Sequence, residues 1–167
     1  QRIVNLLLTF FQLTRETFPD ERELSSAKIV FGFLIFYVCC WTAYIPIYFA
    51  MGVNSGALIV IFLGLPTTLL ALFLLRWKHQ HIWAAYVANF GAIAVLSGIL
   101  MITGASYSSG YGWFFFLILT TFLLTGIKGG WIMAATAALV SILVGINDMY
   151  GYHIPVQFAF DLHSNDF

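Results

Sequence analysis

Side chains that ligate metals, shuttle protons or attack electrophiles are few and scattered in this 167-residue chain, which holds four histidines, two cysteines and seven acids. His79 and His81 stand two apart in a short polar loop with no Cys, Asp or Glu beside them, and His153 and His163 lie far along the chain. The spacing assembles no zinc set, no HExxH is present, and the same map excludes a haem held by two intramembrane histidines. Cys39 and Cys40 are adjacent within an apolar run, too close for an ordinary disulfide. Asp148 closes the last apolar stretch near Tyr150, Tyr152 and His153, where an acid at a helix end beside water is ordinary. No catalytic motif appears, and neither a metal nor a cofactor is expected.

What remains is polar and aromatic recognition. Asn89 is the clearest strongly polar residue inside an apolar run, with Ser97, Thr120, Thr121 and Ser141 as weaker hydroxyls that can bond their own helix. An asparagine in lipid seeks a partner across an interface, either a neighbouring helix or a ligand, and the helix is the simpler reading. The most distinctive stretch is Thr103 to Trp113, where small residues permit unusual torsions and Tyr107, Tyr111 and Trp113 offer aromatic surface. With Trp41, Tyr44 and Tyr48 late in the first apolar run, these rings could floor a pocket for a small lipophilic ligand. The competing reading is that aromatic residues simply gather at membrane interfaces. The candidate ligand-binding set is Trp41, Tyr44, Asn89, Tyr107, Tyr111 and Trp113.

The elements that must position these residues are membrane helices. Hydrophobic residues make up 61% of the chain and charged ones 8%, with a mean hydropathy of +0.93, beyond what a water-soluble domain carries. Seven Lys/Arg balance seven Asp/Glu, which leaves no basic surface for nucleic acid. Five runs are apolar enough for lipid: Ala27 to Ala50, Ala57 to Leu75, Ile82 to Ile102, Gly112 to Ile127 and Gly130 to Ile146. The last two are short, and a re-entrant hairpin is their rival reading. That hairpin would push Lys128 into the bilayer at a cost of about 2.5 kcal/mol or more, so two spans with a corner at Lys128-Gly129 are preferred. Short turns between the runs predict an antiparallel up-and-down bundle.

Arg2, Arg15, Arg22 and Lys28 precede the first run, Arg76 and Lys78 follow the second, and Lys128 follows the fourth. All fall on one side, so the positive-inside rule predicts a cytoplasmic amino terminus. Trp77, Trp83, Trp113 and Trp131 fall at run ends, as aromatic belts require. Pro46 and Pro66 predict kinks. Two stripes of small residues, Ala84-Ala88-Ala92 and Gly130-Ala134-Ala138 with Ser141 and Gly145, predict close helix contact, first of all within the bundle.

The expected fold class is therefore all-α, a polytopic membrane helical bundle of five spans. Residues 1–17 form an amphipathic interfacial helix, 18–149 the transmembrane bundle, and 150–167 an extracytoplasmic loop or tail. Thr17 with Asp20, Pro19 and the acids that follow make a helix start leading into the first span. The chain begins with Gln1 and stops at Phe167 without a tapering end, which reads as a fragment whose natural continuation is a sixth span.

The charged lead-in Phe18-Pro-Asp-Glu-Arg-Glu-Leu24, the small-residue turn Thr103 to Gly112 before an aromatic-rich run, and the Gly126-Ile-Lys-Gly-Gly-Trp131 corner carry a family likeness. In these features the chain resembles the amino-terminal membrane modules of bacterial sensor histidine kinases and of diguanylate or adenylate cyclases. The resemblance implies a homodimeric sensor in the bacterial inner membrane. It would detect a lipophilic or membrane-proximal signal and pass a small helix shift to a cytoplasmic effector outside these residues. The alternative is a small accessory or structural subunit of a larger membrane complex. A membrane enzyme or transporter would need polar groups at depth that the sequence almost entirely lacks.

Overall fold

The computed structural model describes residues 9, 11, 13–14, 16–18, 20–52, 54–103 and 111–150, without the side chains of 102, 103, 111 and 148. Among the described residues every regular element is helical. Helix α1 spans Glu21–Ala50. Its N-cap is Asp20, whose carboxylate accepts from the Arg22 N–H at 2.9 Å, and Glu21 and Glu23 complement the positive end of the helix dipole. Thr17, expected to begin this helix, belongs to the preceding turn, because the Thr17 and Phe18 N–H groups bond back to the Thr14 carbonyl at 3.2 and 3.0 Å. Leu24, Ala27, Val30, Phe31, Leu34, Tyr37 and Trp41 recur three and four apart and form the buried face. Pro46 is accommodated inside α1, which continues to Ala50. Gly52, with φ 74°, closes the end.

Helix α2 covers Asn54–Lys78 and is composite. An α segment, Asn54–Ile59, widens into a π turn at Val60–Gly64 and resumes as Leu65–Lys78. Pro66 supplies the cause: it has no N–H to give the preceding turn, and the expected kink takes the form of a wider ring of hydrogen bonds. Thr67 Oγ1 donates to the Leu63 carbonyl at 2.6 Å and Thr68 Oγ1 to the Gly64 carbonyl at 2.8 Å, satisfying acceptors in the distorted turn. Arg76 and Lys78 occupy the last turn, and His79, left-handed at φ 52°, ends the helix.

Helix α3 is His81–Thr103 and α4 is Tyr111–Met149. At about 1.5 Å per residue the 39 residues of α4 would reach about 58 Å if straight, nearly twice a bilayer core of about 30 Å. It is not straight: Gly126 adopts φ 80°, ψ −172°, a region closed to side-chain-bearing residues. A Cβ on Gly130 would collide with the ring of Phe122, eight residues earlier, and Phe122 also meets Trp131 edge-on at 6.1 Å. Eight residues of continuous helix would separate these positions by about 12 Å. The chain therefore folds back at Gly126, two residues before the corner expected at Lys128-Gly129, and Lys128 lies in the second arm.

Helices α2 and α3 pack antiparallel, with Gly91 against Thr67, Gly64 near Val95 and Gly98 against Ile59. The Ala84-Ala88-Ala92 stripe is buried, as expected of contact within the bundle. In the second arm of α4 the buried seam is Met133, Ala137 and Val144. Ala138, from the expected small-residue stripe, is exposed instead. The amino-terminal segment lies mostly outside the described residues. Of its described members, Leu13 is 2% exposed and the Phe11 ring sits 4.7 Å from Phe31. The tail beyond Tyr150 is outside the described residues.

Among the described residues, four helices are long and apolar enough to cross a membrane. Their outer faces agree: Phe62, Phe115, Leu123 and Ile127 are each more than 70% exposed, a display water would penalise and lipid does not. The described cations share one end of the bundle. Phe18, just before α1, meets His79 and His81 edge-on at 5.7 and 6.3 Å, which brings the start of α1 to the α2–α3 turn. Gly129 approaches the Tyr86 hydroxyl, which brings Lys128 to that same end.

Candidate functional site

The bundle's interior is almost wholly apolar, and its polar exceptions converge. Tyr37 and Trp41, one turn apart on the buried face of α1, direct their polar atoms to different neighbours. The Tyr37 hydroxyl donates to Asn89 Oδ1 on α3 at 2.6 Å. Asn89 Nδ2 in turn donates to Thr121 Oγ1 on α4 at 2.8 Å, and Thr121 donates to the Leu117 carbonyl at 2.7 Å. The Trp41 Nε1–H donates to Thr68 Oγ1 on α2 at 3.1 Å, and Thr68 passes the chain on to the Gly64 carbonyl in the π turn. One neutral layer thus ties all four helices together.

Local sequence explains why these groups can meet. Gly64 has no side chain, so the Trp41 indole lies against its backbone; a Cβ there would stand 3.2 Å from the ring. Gly91 likewise admits Thr67, whose hydroxyl and Cβ a side chain at 91 would strike. Tyr37 and Trp41 hold ring centroids 6.2 Å apart, so the two branches are packed as well as bonded. Asn89 is 1% exposed, Thr68 1% and Thr121 0%. Every donor named is paired, as a low-dielectric interior demands.

The candidate ligand-binding residues whose side chains are described fall into three places. Trp41 and Asn89 belong to the layer, engaged with protein partners. Tyr44 is half-buried one turn beyond Trp41 and stacks on Tyr48 at 5.8 Å. Trp113 is 37% exposed near the start of α4 and meets Phe116 edge-on at 5.7 Å. Among the described residues no ring contact joins Trp113 to Trp41 or Tyr44. Tyr107 lies outside the described residues, and of Tyr111 only the backbone is described.

Sequence reasoning singled out Asn89 and Trp41 but not Tyr37 or Thr68, and it left Thr121 as a self-bonded hydroxyl. A signal was present in the i, i+4 spacing of Tyr37 and Trp41, which sets two hydrogen-bonding rings on one face. Among the described residues no group of three or more His, Cys, Asp or Glu side chains comes together. Near the charged end, the Arg76 guanidinium lies over the Trp77 ring at 4.9 Å, a cation–π contact suited to a membrane boundary. Comparison with protein families, with curated proteins and with solved structures finds no match to this chain.

Proposed function

We propose that this chain is a membrane-embedded signal-sensing module that relays a lipophilic or membrane-proximal signal to a cytoplasmic effector, a histidine kinase or nucleotide cyclase. It works as a homodimer in a bacterial inner membrane, amino terminus inside, with both arms of α4 crossing to give five spans. The observation that supports this reading is the neutral layer through Tyr37, Trp41, Thr68, Asn89 and Thr121. A transporter or pump needs acids or bases along its path, and this layer holds no Asp, Glu, Lys, Arg or His. A relay needs helices with two nearby arrangements of similar energy. Hydrogen bonds between neutral side chains, next to a π turn that already departs from regular geometry, can exchange partners at a cost of a few kcal/mol.

The experiment is a distance measurement between spin labels at Ser25 and Lys128, both toward the charged end, in nanodiscs. The native Cys39 and Cys40 are first replaced by serine. Two distance populations are expected, with their ratio moved by Asn89→Leu and by lipophilic compounds that raise the melting temperature. One narrow population, unchanged by the variant and by a broad ligand panel, overturns the reading.

A further inference from the structure

Where the second arm of α4 begins, its residues turn to different neighbours. Gly129 faces α3, where its missing side chain leaves room for the Tyr86 hydroxyl, and Gly130 faces the first arm and the Phe122 ring. Lys128 lies about 100° from Gly129 on the side away from Gly130, so it borders α3 and not the first arm. Lys128 is exposed, as is Ile132 one turn later on the same face. Across from them on α3, Tyr86 stacks on Phe90 with ring centroids 6.2 Å apart and meets Trp83 at 6.1 Å; Trp83 and Phe90 are both exposed. A lipid-facing crevice results, with aromatic rings on one wall, an aliphatic side chain on the other, and an ammonium and a phenol at its charged end. Among the described residues neither Lys128 nor the Tyr86 hydroxyl has a hydrogen-bond or ion-pair partner.

Charge on this side of the bundle has one sign. From Leu24 to Asn147 the chain contains no Asp or Glu, and its cations there are Lys28 on α1, Arg76 and Lys78 at the end of α2, and Lys128. The described acids at this end, Glu16, Asp20, Glu21 and Glu23, stand with Arg22 around the start of α1. That region meets α3 through His81, which touches Phe18, whereas Trp83, two residues on, points about 200° away. We propose that the crevice binds one anionic glycerophospholipid, its phosphate on the Lys128 ammonium and the Tyr86 hydroxyl and an acyl chain between Phe90 and Ile132. A zwitterionic headgroup fits less well, because its own ammonium would stand beside Lys128 with no carboxylate to receive it. A second copy of the chain fits less well too: a two-fold axis along the membrane normal sets Lys128 at the depth of its own copy, like charge against like. This inference rests on α3 and the second arm of α4 facing lipid and not on the signalling reading.

Native mass spectrometry of the full chain, delipidated in detergent and titrated with phosphatidylglycerol, phosphatidylethanolamine or phosphatidylcholine of matched acyl chains, tests it. One retained phosphatidylglycerol is expected, favoured over the other two by about threefold, as one exposed ionic contact supplies. Lys128→Gln should erase that preference, and Tyr86→Phe, which keeps the ring, should lower phosphatidylglycerol occupancy by about threefold. Lys78→Gln, which removes an exposed cation from the same end but from α2, should leave it unchanged. Equal retention of the three lipids by the wild type overturns the headgroup assignment. A loss in Lys78→Gln that matches the loss in Lys128→Gln shows a diffuse attraction of the whole charged end and overturns the site. Displacement of the lipid by equimolar glycerophosphoglycerol overturns a lipid occupant in favour of a soluble anion. A dimer peak that grows in Lys128→Gln, with lipid retention unaltered, overturns the proposal in favour of a second copy.

Discussion

Asn89 is the residue on which three helices depend. Its carbonyl oxygen accepts from Tyr37 and its amide donates to Thr121, so removing it strands a buried phenol among apolar side chains. Tyr37→Phe should destabilise the bundle by about 0.6 kcal/mol and by no more than about 1.7 kcal/mol, the average and the maximum for single interhelical hydrogen bonds in membranes. Asn89→Leu should cost more, and the double variant should fall short of the sum by about 0.5 kcal/mol or more, because both changes break one bond. Reversible unfolding in mixed micelles measures all three, and strict additivity would separate the two residues. Asn89 was legible in the sequence because an amide in an apolar run must find a hydrogen-bond partner across an interface. Its partners were not, because Tyr37 reads as one aromatic among many and Thr121 already bonds its own helix. Which side chains face each other depends on the rotation of packed helices, and a single sequence carries little of that information.

At the scale of elements, the reversal in α4 depends on one torsion. Gly126→Ala forces a Cβ into φ 80°, ψ −172° and should cost about 1–3 kcal/mol, whereas Gly112→Ala, with open space at its Cβ position, should change stability by less than about 0.5 kcal/mol. Equal effects in the same unfolding assay would show that Gly126 is not the hinge of the hairpin. Gly129 and Gly130 have a different task, the close approach of Thr125, Tyr86 and Phe122. Three glycines within five residues explain why the corner was placed two positions late. Composition marks a reversal there but not which glycine takes the positive φ. The first three apolar runs were legible to within a turn at most ends, since length and hydropathy suffice for lipid. Pro66 announced a distortion whose π form could not be read, because a proline leaves its carbonyl acceptor several ways to be satisfied.

For the whole molecule, the sorting of charge is the decisive regularity. Lys78 and Lys128, fifty residues apart in sequence, lie at one end because α3 and the first arm of α4 make a round trip between them. With Cys39 and Cys40 replaced by serine, Lys78→Cys and Lys128→Cys should both react with an impermeant maleimide in inverted membrane vesicles and resist it in intact spheroplasts. Opposite protection at the two sites would overturn the five-span arrangement. The bundle class and the one-sided charge were readable from hydropathy and Lys/Arg placement alone, whereas the convergence of α1 to α4 on one polar layer needed coordinates. The π turn carries a consequence at this scale. It holds one residue more than an α turn, so the segment Asn54–Ile59 is wound out of phase, by about 100°, with the helical wheel of Leu65–Lys78. Sliding that surplus residue along α2 would screw the intervening segment around its own axis while both ends stay anchored. A single-residue deletion there would freeze the screw at one setting.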